Sequence, residues 1–145
     1  MDKEWLARVF AEQVHHLWIP SDDQREHIAE VINRFQPYKG IEAWAAKAAT
    51  DLKTTGSALD VFEAALWCFF ARDTFREGAV EAVSLGGDSA AIGATYGALA
   101  GAYYGYEMIP SEWISGIRTP KVLEDLVDGL ENLREKHITQ MQLVL

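Results

Sequence analysis

The chain has 145 residues, of which 49% are apolar and 24% charged, proportions typical of a globular domain with a proper core. Its 13 Lys and Arg stand against 22 Asp and Glu, and the formal charge of -9 argues against nucleic-acid binding or attraction to an anionic membrane. Cys68 is the one cysteine, which excludes an internal disulfide, and we interpret it as a small buried apolar side chain. The amphipathic N-terminus with its acidic start does not resemble a signal peptide, so we expect an intracellular, cytoplasmic protein.

Hydrophobic periodicity predicts helices along the whole chain, and no strand-like alternation competes with it. Ser21 with Gln24 forms a capping box, and Asp73 is placed to cap a later helix. Gly105 is a natural helix end, and Thr119–Pro120 is a typical helix start. The sequence therefore predicts a single all-α domain over 1–145, a compact bundle of about six to eight helices. The predicted segments are 2–18, 22–35, 41–52, 59–71, 74–83, 89–106, a short helix around 113, and a long one from 120 onwards.

The segment 89–106 carries no ionisable side chain except tyrosine, and glycine recurs in it at 93, 97, 101 and 105. Residues four apart share one helix face, and each interior glycine costs up to about 1 kcal/mol, which is tolerable where another backbone approaches closely. We therefore expect 89–106 to be the central helix, with Gly97 and Gly101 packed against a neighbour. The alternative is a membrane-spanning, dimerising helix. The run is barely long enough for that, is dominated by Gly and Ala, and lacks flanking Lys or Arg, so a buried helix is favoured.

Two other polar features were candidates for metal binding on residue type alone. The histidines do not form the i, i+4 pair with glutamate that a helical zinc site needs, so we interpret them as solvated or capping residues. Ser21, Asp22 and Asp23 place a hydroxyl and two carboxylates at a helix start, where they could hold a hard cation. The same residues make a good N-cap and first turn, and capping is the favoured interpretation. The histidines are His15, His16, His27 and His137.

The sequence Gly86-Gly87-Asp88-Ser89, at the start of the glycine-rich helix, is more informative. Two glycines let the backbone approach a bulky ligand, and free N–H groups beyond them suit a phosphate or a carboxylate-bound metal. On spacing alone, the better interpretation of Asp88 is a plain N-cap.

Four stretches in this order carry a family resemblance. GSALDVFEAALW at 56–67 is similar to a glycine loop and helix that often reads G-Y-V-V-D-T-L-E-A-A-L-W, and SLGGDS at 84–89 is similar to a Gly-Gly-Asp-x-Asp-Thr motif. GALAGAYYG at 97–105 matches the apolar helix after that motif, and Ile109-Pro110 with Trp113 match the I-P-x-x-W that follows. Over about 56–113 the chain resembles the C-terminal half of the ADP-ribosylglycohydrolase family.

The resemblance implies an all-α fold built around two magnesium ions and hydrolysis of the glycosidic bond that links ADP-ribose to a protein side chain or another ligand. It also implies that the glycine loop, here Gly56 and Ser57, contacts ADP-ribose and that Asp88 is a metal ligand. The other candidate ligand-binding residues flank Asp88, and they are Gly86, Gly87 and Ser89.

Three departures from the family pattern predict a loss of activity. The family's second Asp and its Thr fall on Ala90 and Ala91, so two metal ligands are replaced by methyl groups and magnesium binding is doubtful. The aromatic residue that is common after the loop glycine is Ser57 here. The family's N-terminal Gly-Asp-x-x-Gly and Thr-Asp-Asp-Thr motifs are not found, and Ser21–Asp23 is only superficially similar to the second of them.

We therefore predict a degenerate, catalytically inactive member that serves as a protein-interaction scaffold or binds ADP-ribose or a nucleotide weakly. The alternative is a magnesium-dependent ADP-ribosylglycohydrolase completed by a second chain. Half a domain leaves apolar core surface uncovered, and large exposed apolar patches usually mark interfaces. We accordingly expect a homodimer or a permanent partner protein.

Overall fold

The computed structural model describes residues 2–14 and 25–142. Across these residues the structure consists of helices and turns with no strand, so the predicted all-α class is confirmed. The predictions that fall on 15–24, including the capping box at Ser21 and the Ser21–Asp23 cluster, lie outside the described residues. In chain order the helices are α1 (Lys3–Val14), α2 (Arg25–Phe35), α3 (Ile41–Ala46), α4 (Ala58–Ala71), α5 (Phe75–Ser84), α6 (Ser89–Tyr104), α7 (Ser111–Ser115) and α8 (Pro120–Gln142), with short 3-10 helices at Ala49–Asp51 and Tyr106–Met108.

Two predicted helix boundaries are corrected by tertiary contacts. The segment 41–52 is not one helix, because α3 ends at Ala46 and Lys47 adopts an extended conformation. The Lys47 carbonyl accepts a hydrogen bond of 3.0 Å from the Trp67 indole N–H, and its ammonium bonds to Glu63 at 2.7 Å. The cap of α5 is Thr74 rather than Asp73, since the Thr74 hydroxyl accepts the Glu77 backbone N–H at 3.2 Å.

The chain divides into two compact units, Met1–Met108 with α1 to α6 and Ile109–Leu145 with α7 and α8. In the first unit the central helix is α4, which packs against α3, α5 and α6 and buries ten of its fourteen residues. The prediction that 89–106 forms the central helix is therefore wrong. Helix α6 buries only the face formed by Ile92, Tyr96 and Ala100, whereas the apolar residues of α4 surround its axis.

The close approach between α5 and α6 depends on a glycine of α5. A Cβ added at Gly78 would lie 2.3 Å from the Tyr96 hydroxyl oxygen, so only glycine leaves room for this buried ring. The Tyr96 hydroxyl donates a hydrogen bond of 2.9 Å to the Phe75 carbonyl, which fixes the ring against α5. By contrast, among the described residues no heavy atom lies within 4 Å of a Cβ added at Gly97 or Gly101. The predicted packing of these two glycines against another helix is thus wrong.

Aromatic side chains fill the core beside α4. Trp44 is fully buried, stacks on Tyr38 with ring centroids 3.7 Å apart, and has its ring centroid 5.3 Å from that of Phe70. Cys68 is also fully buried, and this burial raises the pKa of its thiol to about 12. An inert apolar role for Cys68 follows, in agreement with the sequence interpretation.

The second unit contains a short helix and a long one. Helix α7 begins at Ser111, directly after Pro110, and α8 begins at Pro120, as the sequence predicts. Within residues 2–14 and 25–142, none of the helices combines the length and hydropathy needed to cross a bilayer.

Candidate functional site

Two loops of the first unit meet at the N-terminal ends of α4 and α6. The glycine loop (53–57) leads into α4, and the Asp88 loop (85–88) joins α5 to α6. The Asp88 backbone N–H donates a hydrogen bond of 2.9 Å to the Thr54 carbonyl. Gly87 has a φ of +59°, and a Cβ there would lie 2.0 Å from the same carbonyl oxygen. Glycine at 87 is therefore required both by its backbone conformation and by the contact between the loops.

The contact brings together Gly56 and Asp88, two residues that the sequence singled out 32 positions apart. A Cβ added at Gly56 would lie 3.3 Å from Oδ2 of Asp88, so the carboxylate lies against the bare backbone of Gly56. Gly56 is exposed and Asp88 is half-buried, which leaves this carboxylate at the surface of the loop pair. Their roles in ligand binding stay predictions.

Asp88 is the N-cap of α6. Its Oδ1 accepts a hydrogen bond of 3.3 Å from the Ala91 backbone N–H, so the capping role predicted from spacing is confirmed. Among the described residues, Oδ2 accepts no hydrogen bond. One carboxylate oxygen thus satisfies the helix and the other faces the glycine loop.

The remaining candidate residues surround this carboxylate in sequence. Gly86 is exposed with a φ of +77°, and Ser89 is the half-buried first residue of α6. Ser57 is exposed and precedes α4, and its N–H donates to the Thr55 hydroxyl at 3.2 Å. In the part of the chain that the structure describes, Gly56 and Gly86 are exposed, so their backbone groups are accessible to a ligand.

Around Asp88, the side chains that the structure describes do not by themselves make a magnesium site. Magnesium requires near-octahedral oxygen coordination and is usually held by one or two carboxylates together with substrate phosphates and waters. Asp88 supplies one carboxylate, half of it engaged in capping, and Ala90 and Ala91 supply methyl groups. In the part of the chain that the structure describes, no three His, Cys, Asp or Glu side chains come together in a group able to hold a metal.

A buried charge cluster lies next to the glycine loop and is hydrogen-bonded to it. It consists of Arg34, Tyr38, Lys47, Asp60 and Glu63, and the two acids are only 6% and 2% exposed. Glu63 accepts hydrogen bonds from Arg34, from the Tyr38 hydroxyl and from Lys47. Asp60 accepts one from Arg34, so this guanidinium bridges both carboxylates.

Asp60 connects the charge cluster to the glycine loop. Its second oxygen accepts the Thr55 hydroxyl at 2.5 Å, and the same hydroxyl oxygen accepts the Ser57 N–H. The loop is thereby tied to α4 on one side and to the Asp88 loop on the other. This arrangement holds Gly56 next to Asp88.

The charge states of the cluster follow from its hydrogen bonds. Burial would raise the pKa of Glu63, but hydrogen bonds from Lys47, Tyr38 and Arg34 outweigh it and hold the pKa below its ordinary value. Burial also opposes ionisation of Asp60, yet bonds from Thr55 and Arg34 lower its pKa. Burial and the bond to Glu63 raise the pKa of Tyr38. At neutral pH both acids are therefore ionised and Tyr38 is protonated.

A cavity of about 550 Å³ opens beside this cluster. Arg34, Tyr38, Lys47 and Glu63 line it together with Lys53, which begins the glycine loop. No candidate residue of the two loops (Gly56, Ser57 or 86–89) lines it. Because Arg34 and Lys47 are already paired with buried carboxylates, their charges are largely compensated before any ligand arrives.

Sequence reasoning missed the residues that hold the loops in place. No sequence pattern singles out Thr54 or Thr55, and Asp60 and Glu63 appear only as part of the segment 56–67 that carries the family resemblance. A signal was present, since two acids three residues apart in an otherwise apolar helix must be paired when they are buried. Their partners on α2 and after α3 could not be identified from spacing.

Comparison with known proteins gives an independent assignment. A family model described as ADP-ribosylglycohydrolase matches residues 3–140, so the similarity extends well beyond 56–113 at both ends. No solved structure was found to match the chain.

Curated relatives match in the same way. The chain is 32% identical over 84 residues to the ADP-ribosylarginine hydrolase Tri1 of Serratia proteamaculans, covering 58% of this chain and 23% of the relative. It is 28% identical over 118 residues to the protein of that name in Pseudomonas putida, covering 79% and 32%. It is 36% identical over 98 residues to the ADP-ribosyl-[dinitrogen reductase] glycohydrolase of Rhodospirillum rubrum, covering 66% and 29%. The chain thus spans about a quarter to a third of the length of these relatives.

The family is generally metal-dependent, which makes the single carboxylate at Asp88 a notable departure. The family match covers residues 3–140, and the all-α fold is consistent with that family. The chain belongs to the ADP-ribosylglycohydrolase family.

Proposed function

We propose that this chain is a metal-deficient member of the family that does not hydrolyse ADP-ribose linkages and instead binds ADP-ribose or a related nucleotide weakly, as part of a protein-interaction scaffold. The observation that carries the proposal is the state of Asp88. Its carboxylate caps α6 and lies against Gly56, while the positions two and three residues later are Ala90 and Ala91.

Retention of the loop architecture supports binding. The glycine loop and the Asp88 loop are joined by the Asp88–Thr54 hydrogen bond. The glycine loop is also held to α4 by the hydrogen bond from Thr55 to Asp60. Exposed backbone groups at Gly56, just before α4, and at Gly86, just before the 16-residue α6, favour an anionic ligand such as a diphosphate. Asp88 opposes an anion that is not accompanied by a cation, and for this reason the affinity is expected to be weak.

Loss of metal ligands supports inactivity. Each substitution of an oxygen ligand by a methyl group removes both a donor and charge compensation from a hard-cation site. Catalysis that depends on such a cation loses its electrostatic stabilisation of the reacting bond. The described residues include loops that can position a ligand, but no group of acidic side chains beside Asp88 that could hold a metal to polarise one.

The competing function is a magnesium-dependent hydrolase completed by a second chain. It draws support from the span of the chain, which covers only 23–32% of the relatives named for hydrolase activity on ADP-ribosylarginine, and part of a site could reside elsewhere. Oδ2 of Asp88, which accepts no hydrogen bond among the described residues, would then be one ligand of a composite site. Release of ADP-ribose from ADP-ribosylarginine, the substrate that the relatives' names give, is the assay for this alternative.

Calorimetric titration of ADP-ribose into the full chain, with and without magnesium, tests the proposal. We expect weak binding that does not depend on magnesium, and no release of ADP-ribose from ADP-ribosylarginine. Hydrolysis by the purified chain would refute inactivity. If neither ADP-ribose, ADP nor AMP binds, the proposed nucleotide binding is refuted and only the scaffold role remains.

A matched pair of glycine variants locates the binding. Gly87→Ala should abolish binding because its Cβ would collide with the Thr54 carbonyl and separate the loops. Gly105→Ala has a similar positive φ of +83° but open space around it, far along the chain from both loops. It should bind ADP-ribose as the natural chain does. Equal loss in both variants would place the binding elsewhere.

A further inference from the structure

The two buried acids of the charge cluster, Asp60 and Glu63, lie three residues apart on α4 and have different partners. The donors to Glu63 lie on α2 and on either side of α3, outside the glycine loop. Asp60 shares Arg34 with Glu63, but its second oxygen accepts the hydroxyl of Thr55, which belongs to the loop. Of the two acids, Asp60 is therefore the one that the described contacts tie to the glycine loop.

The hydrogen bond between Thr55 and Asp60 has a fixed direction. Burial opposes ionisation of Asp60, but the bonds from Thr55 and Arg34 lower its pKa, so the carboxylate is ionised at neutral pH. An ionised carboxylate only accepts hydrogen bonds, and the Thr55 hydroxyl must therefore donate its single proton to Asp60. The lone pairs of this hydroxyl oxygen are left for the Ser57 backbone N–H, which lies 3.2 Å away. The carboxylate thus sets which way the hydroxyl points.

The bond from Ser57 to Thr55 closes a turn with Gly56 at its centre. A threonine hydroxyl that accepts the N–H two residues later fixes the backbone of the residue between them. The backbone of Gly56 lies against the Asp88 carboxylate, and Thr54, just before the turn, accepts the Asp88 N–H at 2.9 Å. The conformation of this turn therefore sets the distance between the glycine loop and the Asp88 loop.

We propose that Asp60 is a positioning residue for ligand binding, which through the Thr55 hydroxyl holds the glycine loop and the Asp88 loop in the arrangement that receives ADP-ribose or a related nucleotide. Asp60 is only 6% exposed, so it acts through Thr55 and not by contact with the ligand. A loop that is already held in its binding conformation avoids the cost of ordering when the ligand arrives. Glu63, in contrast, stabilises the fold without positioning the loop. The inference rests on the proposed nucleotide binding and adds the residue that sets its geometry.

Removal of one hydroxyl from each acid separates the two roles. Thr55→Val keeps the shape of the side chain but deletes the hydroxyl between Asp60 and Ser57, so ADP-ribose should bind about three- to tenfold more weakly. Tyr38→Phe deletes the hydroxyl that donates to Glu63, so it should lower the melting temperature and leave the affinity unchanged. Thr55→Ser keeps a hydroxyl and should bind as the natural chain does. Affinities are measured by NMR titration of the full chain. Equal weakening by Thr55→Val and Tyr38→Phe, or no weakening by Thr55→Val, would overturn the proposal.

A double-mutant cycle shows whether Asp60 acts through Thr55. Asp60→Asn should weaken ADP-ribose binding, because the single amide oxygen cannot accept from both Arg34 and Thr55 as the two carboxylate oxygens do. In the Thr55→Val background the same change should have no further effect on the affinity. A further loss in that background would contradict the proposed role. If Asp60→Asn does not fold, the variants of Thr55 still decide, since Thr55 is exposed.

Amide exchange in the ligand-free chain distinguishes this proposal from the proposed function. In Thr55→Val the amide protons of Ser57 and Asp88 should exchange with solvent about tenfold faster, whereas Tyr38→Phe should leave both rates unchanged. If the rates change in this way and the natural chain binds neither ADP-ribose, ADP nor AMP, nucleotide binding is refuted while the positioning of the loops is supported. An unchanged rate at Asp88 in Thr55→Val would overturn the positioning role whether or not a nucleotide binds.

Discussion

The backbone N–H of Asp88 lies 2.9 Å from the carbonyl oxygen of Thr54, and this hydrogen bond joins the starts of α4 and α6 across a loop pair. Thr54 is separated from Asp88 in sequence by all of α4 and α5. The bond forms only because the residue before Asp88 is a glycine with a positive φ, which turns the Asp88 N–H towards the loop. The geometry at Asp88 is therefore set by residue 87 as much as by the aspartate itself.

Replacement of this glycine should be costly. Gly87→Ala introduces a Cβ 2.0 Å from the Thr54 carbonyl oxygen at a φ of +59°. We expect a loss of about 2–4 kcal/mol in the free energy of unfolding, from overpacking and backbone strain combined. Gly86→Ala has a φ of +77° but open space, so it should cost only the strain, about 1–2 kcal/mol. Urea denaturation of both variants measures the difference, and equal costs would mean that the loop contact is not tight.

The glycines of α5 and α6 should respond in opposite ways to alanine. A Cβ at Gly101 meets no described heavy atom within 4 Å, so Gly101→Ala should stabilise the chain by up to about 1 kcal/mol through helix propensity. A Cβ at Gly78 would lie 2.3 Å from the Tyr96 hydroxyl oxygen, so Gly78→Ala should cost about 1–3 kcal/mol. Thermal unfolding gives both signs. If the Gly101→Ala chain melts at a lower temperature than the natural one, Gly101 packs against a neighbour, as the sequence predicted.

The contrast between these two glycines explains what periodicity can and cannot predict. Apolar spacing located the helices well, because each buries a face of its own period. Apolar spacing could not show which helix is the most buried. A run of Gly and Ala without charges, as in α6, looks like a core helix whether one of its faces or all of them are buried. Gly78 gave no sequence signal, because its importance depends on Tyr96, eighteen residues later on another helix.

The candidate site was predictable in its parts but not in its connections. The sequence identified Gly56 and Asp88 through the family motif, and capping chemistry identified Asp88 again. The tie from Arg34 through Asp60 to Thr55 was not predictable, because an ion pair between α2 and α4 depends on how the two helices pack. Hydrogen bonds that span tertiary structure leave only a weak trace in sequence, here the buried pair Asp60 and Glu63.

The same buried pair should govern stability in acid. The folded-state pKa values of Glu63 and Asp60 lie below their ordinary values of 4.5 and 3.8. In the folded state protons therefore bind less readily than in the unfolded state, so the stabilisation is fully present above about pH 5 and is lost as the pH falls through the lowered values. We expect the free energy of unfolding to decline steeply below that pH, as measured by denaturation at a series of pH values.

A glutamine variant isolates this contribution. Glu63→Gln removes the carboxylate that faces Arg34, Tyr38 and Lys47, so it should cost about 3 kcal/mol at neutral pH and flatten the acid decline. Glu30→Gln removes an exposed carboxylate of α2 and should change neither. An acid decline as steep in Glu63→Gln as in the natural chain would show that other carboxylates dominate.

Restoring oxygen ligands at residues 90 and 91 tests whether those two side chains are all that a metal site here needs, or whether further ligands are also required. Ala90→Asp with Ala91→Thr returns an oxygen ligand at each of the two positions after Asp88 that are alanine here. We expect this double variant to remain without magnesium affinity in calorimetry, because the family's N-terminal acidic motifs are not found in this sequence and one cluster leaves most of an octahedral shell to water. Asp88→Ala should then cost only the N-cap, about 1 kcal/mol, and Asp88→Asn, which can still accept the Ala91 N–H, should cost almost nothing.

If magnesium binds the double variant, the loss of function resides in Ala90 and Ala91 alone. If it binds the natural chain and Asp88→Asn abolishes that binding, Asp88 is a metal ligand as well as a helix cap, and the hydrolase completed by a second chain becomes the better account.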